Sequence, residues 1–130
     1  MEEKILKAIE ASKNTYSPYS NFAVGAALVM VDGSSILGAN IENASYGLSN
    51  CAERSALFSA YSKGYRKNDI KEIVVASKNR FSPCGACRQV ISELMNGDCL
   101  VTITDLEGNF YTMKVNELLP NSFSEEDLHE

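Results

Sequence analysis

Histidine is almost missing from this chain: the single copy, His129, is the next-to-last residue. A metal centre resting on several imidazoles is excluded, so any soft-metal site must draw on the four cysteines. Basic charge is short as well. Twelve Lys and Arg face seventeen Asp and Glu, a formal net charge of -5, whereas a phosphate-backbone binder needs a basic stripe. The densest basic run, residues 63–71, is broken by Asp69 and reads as a solvated loop. No stretch approaches the roughly 18 apolar residues of a membrane helix, and Met1 to Lys7 holds no apolar segment of the secretory kind. Internal repeats and low-complexity tracts are absent. The expectation is a cytoplasmic protein with neither nucleic acid nor membrane as partner. In that reducing setting, cysteines are more readily thiols or metal ligands than a disulfide framework.

What is present suffices for one domain over residues 1–130. The chain has 45% hydrophobic and 22% charged residues, enough to bury a core without staples. An amphipathic helix is expected over 3–13, with Ile5, Ala8, Ile9 and Ser12 on one face. Residues 16–21 are turn formers with two tyrosines, read as a loop packed by its own aromatics. Residues 22–31 and 35–42 form a hairpin about Asp32-Gly33. Gly25 and Gly38 weaken those strands and permit close backbone approach. Asn40 and Glu42, two apart, face the same side of an extended strand, and a frayed polar strand end is equally compatible.

A loop over 43–50 leads into a helix from Cys51 that stops at Lys63-Gly64, with Ser49 or Asn50 as N-cap. A strand over 70–77 follows, then a helix behind Pro83 with Val90, Ile91 and Leu94 as its stripe. Strands over 99–104 and 110–115 flank a turn, and the ordered part ends at Leu118-Leu119-Pro120. This order predicts an α/β fold, three-layer α/β/α, with one mixed five-stranded sheet.

Cys51 and Glu53 open one helix, and Cys84 and Cys87 open another thirty-three positions later. Helix N-termini favour thiolates. Three such ligands leave an open coordination position, as in catalytic zinc sites, while recruiting Cys99 would close a four-cysteine structural site. Cys99 itself lies in an apolar run and reads as a small buried hydrophobe. Beside an open position, Glu53 could accept a proton from a metal-activated water and return it to a substrate. Three thiolates carry excess negative charge, which Arg54, Gln89 or the helix amides could offset.

Cys51-Ala52-Glu53 with Pro83-Cys84-Gly85-Ala86-Cys87 resembles the signature of zinc nucleobase deaminases. Four longer segments resemble cytidine deaminases of the small all-cysteine-zinc type: Tyr16-Ser17-Pro18-Tyr19-Ser20-Asn21-Phe22, Val24-Gly25-Ala26-Ala27-Leu28, Asn40-Ile41-Glu42-Asn43-Ala44-Ser45-Tyr46-Gly47-Leu48 and Leu118-Leu119-Pro120-Asn121-Ser122-Phe123. The resemblance implies one Zn2+ per subunit on Cys51, Cys84 and Cys87, with Glu53 shuttling the proton. It implies ribose contacts from Asn40 and Glu42, base packing by Phe22, a base contact from the Ala52 backbone, and further substrate contacts from Tyr46 and Phe123. It also implies hydrolytic deamination of cytidine and 2'-deoxycytidine in pyrimidine salvage, by a homotetramer in which Phe123 reaches a neighbour's site. Two rivals stand beside it: deamination of an aminopyrimidine antibiotic such as blasticidin, and a structural zinc module needing four protein ligands and no Glu53.

Overall fold

The chain runs as α1 (Glu3–Ala11), β1 (Val24–Met30), β2 (Ser35–Ala39), α2 (Ala52–Ser62), β3 (Ile70–Ser77), α3 (Gly85–Leu94), β4 (Leu100–Thr104), β5 (Phe110–Lys114) and α4 (Val115–Leu118). The structure is a computed structural model and describes residues 2–45, 50–80 and 85–118. The strands form one sheet in the order β2-β1-β3-β4-β5. β1 is antiparallel to both β2 and β3, β3 is parallel to β4, and β5 returns antiparallel. Each pair linked through a helix, β2/β3 and β3/β4, therefore runs in the same direction, as a helical crossover requires. Insertion of β1 between β2 and β3 makes the sheet mixed.

Strand alternation divides the side chains between two faces. Ala27, Val74 and Ala76 pack against Ile5 and Ala8 of α1. Ala26, Leu28, Met30, Ile73, Val75, Val101 and Ile103 pack against Ala52, Ala56, Leu57 and Ala60 of α2, Ile91 of α3 and Met95 just beyond it. The result is the expected three-layer α/β/α arrangement. Full burial of a residue such as Leu57 or Ile73 stabilises the fold by about 1.5–3 kcal/mol. Among these apolar layers Glu72 is only 3% exposed. It accepts hydrogen bonds from Lys4 Nζ at 2.9 Å and Thr102 Oγ1 at 2.5 Å, so its charge is compensated.

Several boundaries differ from the sequence expectation for identifiable reasons. The helix expected over 3–13 is α-helical only to Ala11, and Ser12–Asn14 tighten into a 3-10 turn. β2 stops at Ala39 as a regular strand. Beyond it Ile41 is bridged to Tyr16 on one side and Asn50 on the other. The strand expected to reach Val115 instead ends at Lys114, whose N–H donates to Glu117 Oε1 at 2.8 Å. That contact opens the short α4, which buries Val115 and Leu118. Residues 16–21 are not packed by their aromatics: Tyr16 is 55% and Tyr19 61% exposed. Glu42 holds the loop instead. Its Oε1 accepts from the N–H groups of Tyr19 at 3.0 Å and Ser20 at 3.1 Å, and the Ser20 hydroxyl donates to Oε2. Asn21, at φ 56, then turns the chain into Phe22, in the left-handed region that asparagine tolerates better than most residues.

Candidate active site

The site begins where α2 begins. Asn50 does not cap the helix, and Ser49 lies outside the described residues; Cys51 itself is the N-cap residue, extended at φ -78 and ψ 162 with no side-chain cap bond. Asn50 is committed elsewhere. Its backbone exchanges hydrogen bonds with Ile41 at 2.8 and 2.9 Å, and its Nδ2 donates to Ser55 Oγ at 3.2 Å. The first turn of α2 faces inward, with Ala52 fully buried and Glu53 only 4% exposed. Cys87, fully buried, lies near the start of α3. The Cys51 and Cys87 sulfurs and a Glu53 carboxylate oxygen all lie within 4.8 Å of one another.

The sequence favoured thiols, yet the structure joins Cys51 and Cys87 in a disulfide. The starts of α2 and α3 converge, so the two sulfurs meet. Their Cα atoms stand 7.2 Å apart, beyond the usual disulfide span of about 4.4–6.8 Å. The wider span suits two thiolates directed at a common ion. Zinc requires deprotonated sulfur, so a metal-binding role belongs to the reduced pair. The chemistry of this donor set, two sulfurs and a carboxylate at converging helix starts, fits a zinc ion. Cys99 is outside the group. It is a free, half-buried thiol whose Sγ donates to Ile70 O at 3.2 Å, and burial raises its pKa. The pairing that a closed site would demand of Cys99 is thus not formed among the described residues.

Burial pushes the Glu53 carboxyl above the ordinary glutamate range, while its own backbone N–H and the Arg54 charge pull weakly the other way. A carboxyl so placed holds a proton more readily than an exposed one. Arg54 Nε donates to Cys51 Sγ at 3.3 Å, so the guanidinium sits against one of the sulfurs. Arg88 and Gln89 follow Cys87 on α3, and Arg88 Nη1 donates to Leu118 O at 2.8 Å.

A second group of polar side chains stands beside this one. Asn40 Nδ2 donates to Phe22 O at 2.8 Å, and Asn40 Oδ1 accepts from Val24 N–H at 2.9 Å. Thr15 Oγ1 donates to the same residue, lying 2.5 Å from Oδ1 and 2.8 Å from the backbone oxygen. Asn40 and Glu42 therefore both turn toward the segment before β1, as their spacing suggested, and neither is a frayed end. The paired backbones of Ile41 and Asn50 set this group directly beside Cys51. Ser20 and Thr15 were not singled out by sequence, and Asn50 only as a helix cap. Each acts through hydrogen bonds formed only after distant segments meet. Cys84, Tyr46 and Phe123 lie outside the described residues.

Residues 1–103 match the family model for the cytidine and deoxycytidylate deaminase zinc-binding region. A cytidine deaminase of Halalkalibacterium halodurans is 53% identical over 126 residues, covering 97% of this chain and 96% of that protein. One from Sporosarcina psychrophila is 46% identical over 128 residues, covering 98% and 94%. The crystal structure of cytidine deaminase from Burkholderia pseudomallei superposes with a TM-score of 0.90 at 46% identity, covering 95% of this chain and 100% of that one. With a family model matched over residues 1–103 and relatives 46–53% identical over almost the full length, this chain belongs to the cytidine deaminase family.

Proposed function

We propose that the chain hydrolyses the 4-amino group of cytidine and 2'-deoxycytidine, consuming water and releasing ammonia with uridine or 2'-deoxyuridine. Salvage of pyrimidine nucleosides in the cytoplasm is the corresponding role. Cys51 and Cys87, as thiolates, would hold one zinc ion per subunit together with Cys84. When bound, zinc supplies Lewis acidity that activates water near neutral pH. The observation that carries the reading is the buried Glu53 carboxyl within 4.8 Å of both sulfurs.

Glu53 takes a proton from the attacking water and delivers it to ring N3, then takes the remaining proton of the resulting C4 hydroxyl and delivers it to the leaving amine. Its raised pKa lets it hold each proton between uptake and delivery. Arg54, donating to Cys51 Sγ, offsets the charge that three thiolates place on a divalent ion. Gln89 is assigned to the same surroundings. Phe22 packs on the base and the Ala52 backbone reads it. Asn40 and Glu42 bind the ribose, and Tyr46 and Phe123 complete the pocket, Phe123 from a neighbouring subunit of a homotetramer. A neutral nucleoside suits a chain of net charge -5.

The deciding variant is Glu53→Gln. It should retain zinc and lose about 10²–10⁴-fold in ammonia release, followed by the ultraviolet change from cytidine to uridine. Retained turnover with normal zinc content refutes the assignment. Turnover of blasticidin in preference to cytidine would move the substrate to the antibiotic.

A further inference from the structure

Asn40 is a satisfied residue with one vacancy. Its carboxamide oxygen receives the Val24 N–H at 2.9 Å and the Thr15 hydroxyl at 2.5 Å, which occupies both lone pairs. Its Nδ2 spends one N–H on Phe22 O at 2.8 Å. One N–H is left without a partner among the described residues. Glu42 is the mirror case. Oε1 takes two backbone N–H groups and Oε2 takes the Ser20 hydroxyl, so an acceptor site is left on Oε2.

The donor character of Asn40 depends on the Thr15 contact. Val24 N–H and Phe22 O already define which end of the carboxamide is oxygen, but they leave the second lone pair of Oδ1 open. An open lone pair can take a water, or can take a substrate hydroxyl in the wrong sense. Thr15 closes it. The same hydroxyl lies 2.8 Å from Asn40 O, so the side chain and backbone of Asn40 are gripped from one atom. The neighbouring backbone bonds, Tyr16 N–H to Asn40 O at 3.0 Å and Glu42 N–H to Tyr16 O at 2.8 Å, keep Thr15 in register with its target.

We infer that Thr15 is a positioning residue for nucleoside binding, whose hydroxyl fixes Asn40 as a pure hydrogen-bond donor toward the sugar. This rests on the ribose role proposed for Asn40. The contact is made in the free protein, so the ordering entropy is settled before substrate arrives. Because Thr15 neither touches the reacting atoms nor moves a proton, its loss is felt in binding and not in the chemical step.

The test is a set of four proteins: wild type, Thr15→Val, Asn40→Ala and the double variant, with Thr15→Ser as the conservative control. Cytidine KM and kcat, zinc content and Tm are measured on each. Thr15→Val should raise KM about three- to tenfold with kcat within about twofold, a hydrogen bond's worth of binding. Thr15→Ser should restore the wild-type KM. In the Asn40→Ala background Thr15→Val should have no further effect on KM. Such coupling is what a merely structural threonine would not produce, since its effect would persist in the double variant. If Asn40→Ala raises KM but Thr15→Val does not, the inference falls while the ribose role stands. If Asn40→Ala leaves KM unchanged, the ribose role fails and takes the inference with it. A Thr15→Val protein with lowered Tm and unchanged KM also overturns it.

Discussion

Gly38 places the first turn of α2, and replacing it with alanine is the sharpest test of how the fold builds the site. Gly38 pairs with Ala26 in the sheet. A Cβ built on it would lie 2.5 Å from Ala52 O, 2.6 Å from Ala56 N and 3.0 Å from Ala56 Cβ. The two closest atoms belong to helix backbone, so no side-chain rotation relieves them. Against a tolerable limit of 3.0 Å, the helix must retreat by about half an ångström. Ala52 stands between Cys51 and Glu53, so the retreat displaces a sulfur and the carboxyl together. Overpacking of this kind costs about 1–3 kcal/mol of stability. A 1 Å misplacement of reacting groups can cost about 10²-fold in rate, so half of that points to about tenfold. Urea unfolding, zinc content and kcat should be measured on Gly38→Ala, with Gly97→Ala as control. At Gly97 the nearest atom to a new Cβ is the Asn116 side chain at 3.4 Å, an ordinary contact. A Gly38→Ala protein with wild-type stability and turnover refutes the claim that this approach positions the site.

Two more outcomes follow from the same geometry. Denatured with chelator and no reductant, the purified protein should yield four reactive thiols if Cys51 and Cys87 are ligands, and two if they are a disulfide. Two thiols accompanied by full activity would refute the zinc assignment of this pair. For Glu42, the Ser20 hydroxyl, helped by the backbone N–H groups of Ser20 and Tyr19, holds the carboxyl below the ordinary 4.5 against a smaller contrary effect of burial. A depressed pKa means that the ionised acceptor is present above the ordinary value and lost only as pH falls through the lower, folded value. Cytidine KM should therefore stay flat as pH falls to 4.5 and rise only below. Ser20→Ala should move the rise upward, and a KM already climbing well above pH 4.5 would contradict the contact.

The sheet was legible because its strands carry strong period-two and apolar-run signals bounded by Asp32-Gly33, Asn96-Gly97 and the turn after Asp105. The crossing of β1 between β2 and β3 was not, since strand order depends on which apolar edges meet. Cys51, Glu53 and Cys87 were legible from spacing, as motif chemistry is local. The N-cap was misplaced because Asn50, a good capping residue in isolation, is drawn into the bridge with Ile41. The tyrosine loop was misread for a related reason. Tyr16 and Tyr19 suggested self-packing, but the Glu42 carboxylate organises the turn from 22 residues away. Local signals thus pointed to the sulfurs and the carboxyl that the fold brings together, while the groups that hold them in place are long-range.

That division has a consequence for how the two halves of the site communicate. The sulfur and carboxyl half belongs to α2 and α3, packed on one face of the sheet. The half proposed to bind ribose belongs to the extension of β2 and to the segment between α1 and β1. They meet at the double hydrogen bond between Ile41 and Asn50, flanked by Asn40 and Glu42 on one side and Cys51 on the other. A shift of the β2 extension must therefore move the start of α2, unless those two bonds break. The junction thus fixes the spacing of the two halves in the free protein, so neither has to be ordered when substrate arrives. The Thr15 contact acts on one side of this junction and Gly38 on the other. Their substitutions should therefore divide, Thr15→Val in KM and Gly38→Ala in kcat.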